Sequence, residues 1–364
     1  MGARLRTVPA PRTPPAADLD ELTARGLVDL VEVGRGSHAV VYRAHQPAFA
    51  RDVAVKVLDV PAADAAALTA WRRECAALGA VSAHPSIVAL LDAGTTASGR
   101  PYLVLDHAPG GSLAARVAAR GPLPWQAVAH IGVGLAGALE AAHRAGVLHL
   151  DVKPDNLLVS AFGQVQLADF GVARVQRDTD DGGPARGSLA HAAPEVLAGR
   201  TPTPAADVYG LASTLRALLS GTAAAPDALD APAPLAAALA AGLARDPRRR
   251  PASAAAFGRL LQQAQADLGA PVTPLVVTVD SAGPDTNAAT TAAAGSTTAP
   301  TGASAAPAGP PPAPAADVEA TRTFGPGPPL LQPAPAPRPP AAVVVAACGG
   351  VGALLLAVAH LVAV

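Results

Sequence analysis

Cysteine, aromatic rings and surplus charge are scarce in this chain of 364 residues, and each scarcity rules something out. The two cysteines, Cys75 and Cys348, lie far apart and outside any zinc-type spacing, which excludes a disulfide framework and a thiolate metal site and fits a reducing, cytosolic setting. Twenty-seven basic against 28 acidic residues leave a formal charge of -1. No global field then draws the chain to nucleic acid, and no nucleic-acid partner is expected. Aromatics make up 3% of a sequence that is half apolar; the excess is alanine, a bias spread along the chain rather than an unusually greasy core. The N-terminal "MGARLRTVPAPRTPPAADLD" lacks an apolar run long enough for a signal peptide. It also lacks a myristoylation signal, having Arg6 where that motif wants Ser or Thr. Residues 1–27 read as a disordered tail.

From residue 28 to 268 apolar runs alternate with turn signals. "DVAVKVLDV" and "PYLVLDHA" predict strands, and "WQAVAHIGVGLAGALEAAHRAG" predicts a long helix ended by Gly146, so one mixed α/β body is expected. Residues 269–340 shift to Pro, Ala, Thr, Gly and Ser; such a segment buries too little apolar surface to offset its ordering entropy and reads as a disordered linker. Residues 341–364, "AAVVVAACGGVGALLLAVAHLVAV", carry no formal charge. About 20 apolar residues span a bilayer core, so this stretch predicts a transmembrane helix. Arg338 precedes it and no Lys or Arg follows; the positive-inside bias therefore puts the N-terminal body in the cytoplasm, and a single-pass protein of the cell membrane is expected.

The chemistry begins at "VGRGSHAVVY", residues 33–42 (Val33, Gly34, Arg35, Gly36, Ser37, His38, Ala39, Val40, Val41 and Tyr42). Glycines before a strand let backbone amides approach phosphate oxygens. "VAVK" follows about fifteen residues later, a strand whose Lys56 ends among those phosphates, and Glu74, in the helical "WRRECAAL", is placed to pair with Lys56. Phosphoryl transfer from ATP needs a carboxylate to accept a hydroxyl proton, a cation on the transferring phosphate and oxygen ligands for magnesium. "HLDVKPDNLL" supplies one of each in Asp151, Lys153 and Asn156, and "LADFG" supplies Asp169 as a further magnesium ligand. Any of these motifs alone is an ordinary turn or solvated loop; in this order they form a set.

On these residues the chain resembles the eukaryotic-like (Hanks-type) Ser/Thr protein kinases over residues 28–268. The resemblance implies an α+β, bilobal protein kinase fold, with a small β-rich N-lobe and a larger helical C-lobe. It also implies ATP and Mg²⁺ as cofactors. "HAAPE" resembles the family's A-P-E element, with Arg250 as the buried partner of Glu195, and "DVYGLASTLRALLSG" resembles the helix whose aspartate, here Asp207, braces the catalytic loop. By the same resemblance Val41, Ala54 and Leu158 sandwich adenine, and Asp106 and Ala108 offer it backbone groups. Lys153 together with Gly187-Ser188 gives the Ser/Thr-type pattern. With the linker and the span added, the resemblance is to bacterial membrane-anchored Ser/Thr kinases.

Three residues depart from the family pattern. Ala39 stands where the third loop glycine is usual, Asp106 replaces the common hinge glutamate, and Leu150 stands where most relatives have an arginine before the catalytic aspartate. That arginine receives a phosphate on the activation loop. Leucine cannot, so activity without phosphorylation of Thr179 or Ser188 is expected. The implied mechanism holds two Mg²⁺ ions on Asp169 and Asn156. Lys56, fixed by Glu74, meets the α and β phosphates, Lys153 meets the γ phosphate, and Asp151 accepts the proton of a Ser or Thr hydroxyl on a protein substrate. Thr321 and Thr323 in "DVEATRTF" are candidate autophosphorylation sites for a phosphothreonine-binding (FHA-type) partner. A non-catalytic scaffold at the membrane is the alternative.

Overall fold

The computed structural model describes residues 13–36, 39–59, 65–170, 189–222 and 230–277. Residues 278–340 of the expected linker and the apolar stretch 341–364 lie outside them. Among the described residues no helix is long and apolar enough to cross a membrane.

The N-lobe is a five-stranded antiparallel sheet in the order β1-β2-β3-β5-β4, built from β1 (Val28–Arg35), β2 (Ala39–Gln46), β3 (Arg51–Leu58), β4 (Leu90–Thr95) and β5 (Pro101–Asp106). Its strands are two-sided, because side chains alternate faces with period two. Val53, Val55 and Val57 of β3, Val40, Tyr42 and Ala44 of β2, and Tyr102 and Val104 of β5 form one cluster, which is capped by Leu22 and Leu27. The opposite face carries Ala39, Leu58 and Leu103 into the main core, together with Trp71 and Leu78 of α2 (Ala65–Val81). Lys56 lies between Val55 and Val57, so burial of those valines aims it at the cleft.

Leu22 belongs to α1 (Ala16–Ala24). The expectation of a tail through residue 27 therefore fails for this stretch. Alanine-rich composition hid an amphipathic turn whose Leu22 is fully buried. Polar contacts fix the helix as well: Ser98 Oγ donates to Asp18 Oδ2 at 2.7 Å, the Ala97 amide donates to Glu21 Oε2 at 2.6 Å, and Arg25 Nη1 donates to the Tyr102 hydroxyl at 3.1 Å.

The C-lobe is helical: α3 (Leu113–Arg120), α4 (Trp125–Arg144), α5 (Pro194–Leu197), α6 (Pro204–Ser220), α7 (Ala233–Gly242) and α8 (Ala254–Asp267). A two-stranded sheet of β6 (Leu157–Val159) and β7 (Val165–Leu167) lies beneath the cleft. Helix α4 occupies the predicted long-helix position, and Gly146 follows it with φ 75°. The described body also runs past the expected boundary at 268, through an extended segment to Val277.

Candidate active site

Two residues of the catalytic loop region take up left-handed backbone, Leu150 at φ 60° and Asp169 at φ 62°. A leucine there costs about 1–2 kcal/mol, so something must hold it. Asp207, near the start of α6 and 1% exposed, accepts from the His149 amide at 2.8 Å and the Leu150 amide at 2.6 Å. His143 at the end of α4 completes this anchor through Nε2, 2.8 Å from Asp207 Oδ2. The bracing role expected of Asp207 is thus visible. His143 went unnoticed in the sequence, because nothing local links it to a residue 64 positions away.

His149 orders the next two residues. Its Nδ1 accepts the Asp151 amide at 3.2 Å, so Nε2 carries the hydrogen donated to the Ala168 carbonyl at 2.9 Å. Its ring also meets Phe170 edge-on, with centroids 4.7 Å apart. Asp151 and Asp169 are thereby registered to one neutral imidazole, and burial pushes the His149 pKa down.

Around Asp151 the predicted cluster comes together. Lys153 Nζ donates to Asp151 Oδ2 at 2.7 Å, and Asn156 Nδ2 donates to Asp151 Oδ2 at 3.1 Å and to its backbone carbonyl at 2.8 Å. Those two bonds fix the Asn156 amide, leaving Oδ1 without a protein partner among the described residues. Lys56 Nζ lies 2.8 Å from Asp169 Oδ1. Desolvation by the surrounding protein pushes the Asp169 carboxyl up, but Lys56, His149 and Lys153 outweigh it and hold it below the usual carboxylate range. The carboxylate stays open to the cleft, its side chain 43% exposed. An ionised carboxylate beside a free amide oxygen is a donor set of hard oxygens, which suits Mg²⁺. The side chain of Glu74 lies outside the described residues, so the expected Lys56–Glu74 pair does too. Behind Lys56 a small pocket opens, lined by Val88, Leu103, Leu105, Asp169 and Phe170.

The glycine-rich turn is closed by the Gly36 amide donating to the Ala39 carbonyl at 2.9 Å. Gly34 and Gly36 have no left-handed φ, and a Cβ on either would meet its nearest neighbour only at 3.9 and 3.8 Å. Among the described residues nothing in the fold requires glycine at these positions. Ser37 and His38 lie outside the described residues. Val33 is 56% exposed beside this turn.

Val41 and Ala54 lie on the cleft side of the sheet, Val41 in register with Lys56. Val40 does not: it is buried on the α1 face and cannot line a nucleotide site. The Arg35 side chain likewise turns away, to Glu32 Oε2 at 2.6 Å and Thr13 Oγ1 at 3.3 Å. The strand period, applied to each residue in turn, would have excluded Val40. Asp106 ends β5, its amide donating to the Ala89 carbonyl at 2.9 Å, and Ala108 follows in the connector between lobes. Leu158 of β6 bridges to Ser112 at the start of α3.

The Glu195–Arg250 pair is present and buried, Nη1 to Oε1 at 2.6 Å and Nη2 to Oε2 at 2.8 Å. Arg216 on α6 was missed; its buried Nε has no hydrogen-bond partner among the described residues.

A bilobal body with a lysine on β3, an aspartate-lysine-asparagine loop and an aspartate after β7 is the arrangement of the protein kinase fold. The chain belongs to the protein kinase domain family, whose pattern matches residues 27–232. It is 42% identical over 283 residues to the serine/threonine-protein kinase PknK of Mycobacterium bovis, which covers 71% of this chain but 25% of that protein. The chain thus spans about a quarter of the length of that relative. It is 34% identical over 275 residues to the serine/threonine-protein kinase PknL of the same organism, covering 69% of this chain and 68% of PknL. The crystal structure of the Mycobacterium tuberculosis PknI kinase domain superposes with a TM-score of 0.51 at 29% identity, over 65% of this chain and 96% of that domain.

Proposed function

We propose that this chain is an active serine/threonine protein kinase that transfers the γ-phosphate of ATP to Ser or Thr hydroxyls of protein substrates, its own chain included. The observation that carries this reading is the polar cluster in which Asp151 is held by Lys153 and Asn156 while Asp169 is held ionised by Lys56. Asp169 and Asn156 Oδ1 would hold Mg²⁺, which supplies charge neutralisation on the phosphates. Lys56 sits where it meets the α and β phosphates, and the bare backbone of Gly34 and Gly36 admits them. Val41, Ala54 and Leu158 face the base, with Asp106 and Ala108 on its edge. Asp151 orients the acceptor hydroxyl and takes its proton, and Lys153 offsets charge on the transferring group. The protein's contribution is positioning and electrostatics.

Transfer in this reading does not wait for a phosphate on the activation segment. Among the described residues the space beside Leu150 is lined by Val152, His191, Ala193, Val196 and Ala206 with the carboxylates of Asp151 and Asp207, and no Lys or Arg lines it. The linker and residues 341–364 anchor the enzyme at the cytoplasmic face of the membrane, and Thr321 and Thr323, once phosphorylated, would recruit an FHA-type partner.

The test uses the whole chain, solubilised in detergent and treated with phosphatase, given labelled ATP, Mg²⁺ and a general protein acceptor beside its Asp151→Asn variant. We expect immediate linear transfer by the unaltered chain and none by the variant, with nucleotide binding by the variant nearly intact. A lag that shortens with enzyme concentration would overturn the independence from loop phosphate. No transfer with nucleotide still bound would replace the enzyme with a scaffold.

A further inference from the structure

Helix α4 contains Gly132, Gly134 and Gly137 in "HIGVGLAGALE". A mid-helix glycine costs roughly 0.5–1 kcal/mol against alanine, so three of them need a reason. None has a left-handed φ. Each instead marks a close approach. A Cβ on Gly132 would meet Leu215 and Leu261 at 2.7 Å, which is helix packing. A Cβ on Gly134 would meet Ser86 Oγ at 3.0 Å, and one on Gly137 would collide with the Val276 carbonyl. The last two bare positions seat chain from two distant places, the loop after α2 and the segment after α8.

That segment, residues 271–277, is held along its length. Thr273 is 9% exposed. Its amide donates to Gln265 Oε1 at 2.9 Å, its carbonyl accepts from Gln262 Nε2 at 2.8 Å, and its hydroxyl meets Gln265 Nε2 at 2.9 Å and His130 Nδ1 at 3.0 Å. Leu275 packs where Gly258 of α8 leaves room. The Val276 carbonyl accepts from His84 Nε2 at 2.9 Å.

His84 repeats the geometry of His149. Its Nδ1 accepts the Ser86 amide at 3.1 Å, which fixes the neutral tautomer that donates from Nε2. Ser86 in turn accepts the Leu167 amide at 2.8 Å, and the Leu167 carbonyl accepts the Val88 amide at 3.0 Å. Leu167 ends β7, two residues before Asp169. The backbone before Asp169 is therefore clamped on one side by His149 and on the other by Ser86 and Val88, with His84 and the strap behind Ser86.

We propose that residues 271–277 are a positioning strap for Asp169, seated on the bare backbone of α4 at Gly137 and acting through His84, Ser86 and Leu167. This rests on the kinase reading for its effect on transfer, but not for its mechanical part. Release of the strap frees the Ser86 loop, lets β7 shift and misplaces the Asp169 carboxylate.

The experiment uses the whole chain with Thr273→Val, which removes the hydroxyl contacts, Thr273→Ser, which restores them, and Gly137→Ala, which unseats Val276 while improving local helix propensity. Amide hydrogen exchange at residues 271–277 and at Leu167 is read without nucleotide, and transfer is read against Mg²⁺ concentration. For Thr273→Val and Gly137→Ala we expect faster exchange at both places. We also expect a Mg²⁺ requirement raised about threefold to tenfold, weaker than the roughly 10–100-fold typical of partners that touch a metal ligand directly. Thr273→Ser should return both readouts to those of the unaltered chain. If the strap exchanges faster while Leu167 and the Mg²⁺ requirement stay unchanged, the strap is packing alone and the proposal falls. Should the unaltered chain transfer no phosphate, the kinase reading fails, and exchange at Leu167 still decides whether the strap couples to β7.

Discussion

Leu150 is where local preference and tertiary role disagree most. A γ-branched residue at φ 60° is held by two backbone bonds to one carboxylate, and that carboxylate is itself held by His143. The sequence shows that an arginine is missing from this position; only the structure shows the strained turn and a lining beside it that, among the described residues, holds Asp151 and Asp207 but no Lys or Arg. Glu195 and Arg250 behave differently. Both partners were legible as a pair, and the structure adds that Arg250 also donates to the Ala244 and Ala205 carbonyls at 2.8 Å each. Burial pushes the Glu195 carboxyl up, but the Arg250 guanidinium overrides this and keeps it below its ordinary value. Removing one partner leaves a buried charge unpaired, so Arg250→Met should destabilise the fold by about 3–5 kcal/mol in denaturant unfolding. A loss under about 1 kcal/mol would mean that Glu195 finds water or another donor.

At the scale of elements, the strands and long helix of the body were readable from period and turn residues. The glycine-rich turn, β3 and the loop after α4 fell where their motifs required. What escaped was the two ends. Helix α1 is short and alanine-rich, and its burial depends on a sheet face that no local pattern reveals. The strap after α8 is extended and proline-broken, so its composition resembles the linker that follows. Leu22→Ala should cost about 2–5 kcal/mol, as expected for a buried leucine whose site cannot collapse, measured as a shift in the denaturant midpoint. An unchanged midpoint would show that α1 is dispensable. By the same logic a fragment carrying the catalytic body must reach Val277; one ending near 270 would sever the contacts of Thr273 and Val276.

For the whole molecule, four histidines set the acid limit. His84, His130, His149 and His191 are buried enough that desolvation pushes each pKa below its ordinary value. Below pH about 6.5 the unfolded chain then binds protons that the folded chain refuses. The stability these groups allow is present in full above that pH and is lost as pH falls through it, each group that stays neutral costing about 1.4 kcal/mol per further unit. Unfolding midpoints measured from pH 8 to 5.5 should be flat at first and then drop; a flat profile throughout would mean that the imidazoles accept protons in place.

The sequence by itself determined the chemistry: a lysine, two aspartates, an asparagine and a glycine-rich turn in an order that phosphoryl transfer requires, because reacting groups must be of particular types and cannot be replaced by packing. It also determined the strands and the long helix, since alternation and helical period are local properties. Only the tertiary structure decided which face of β2 meets the cleft and what holds Leu150 in its turn. It likewise decided why α4 carries glycine at 134 and 137, and that the body extends to Val277. These depend on contacts between residues far apart in the chain, and no local pattern encodes which distant backbone will come to rest against which.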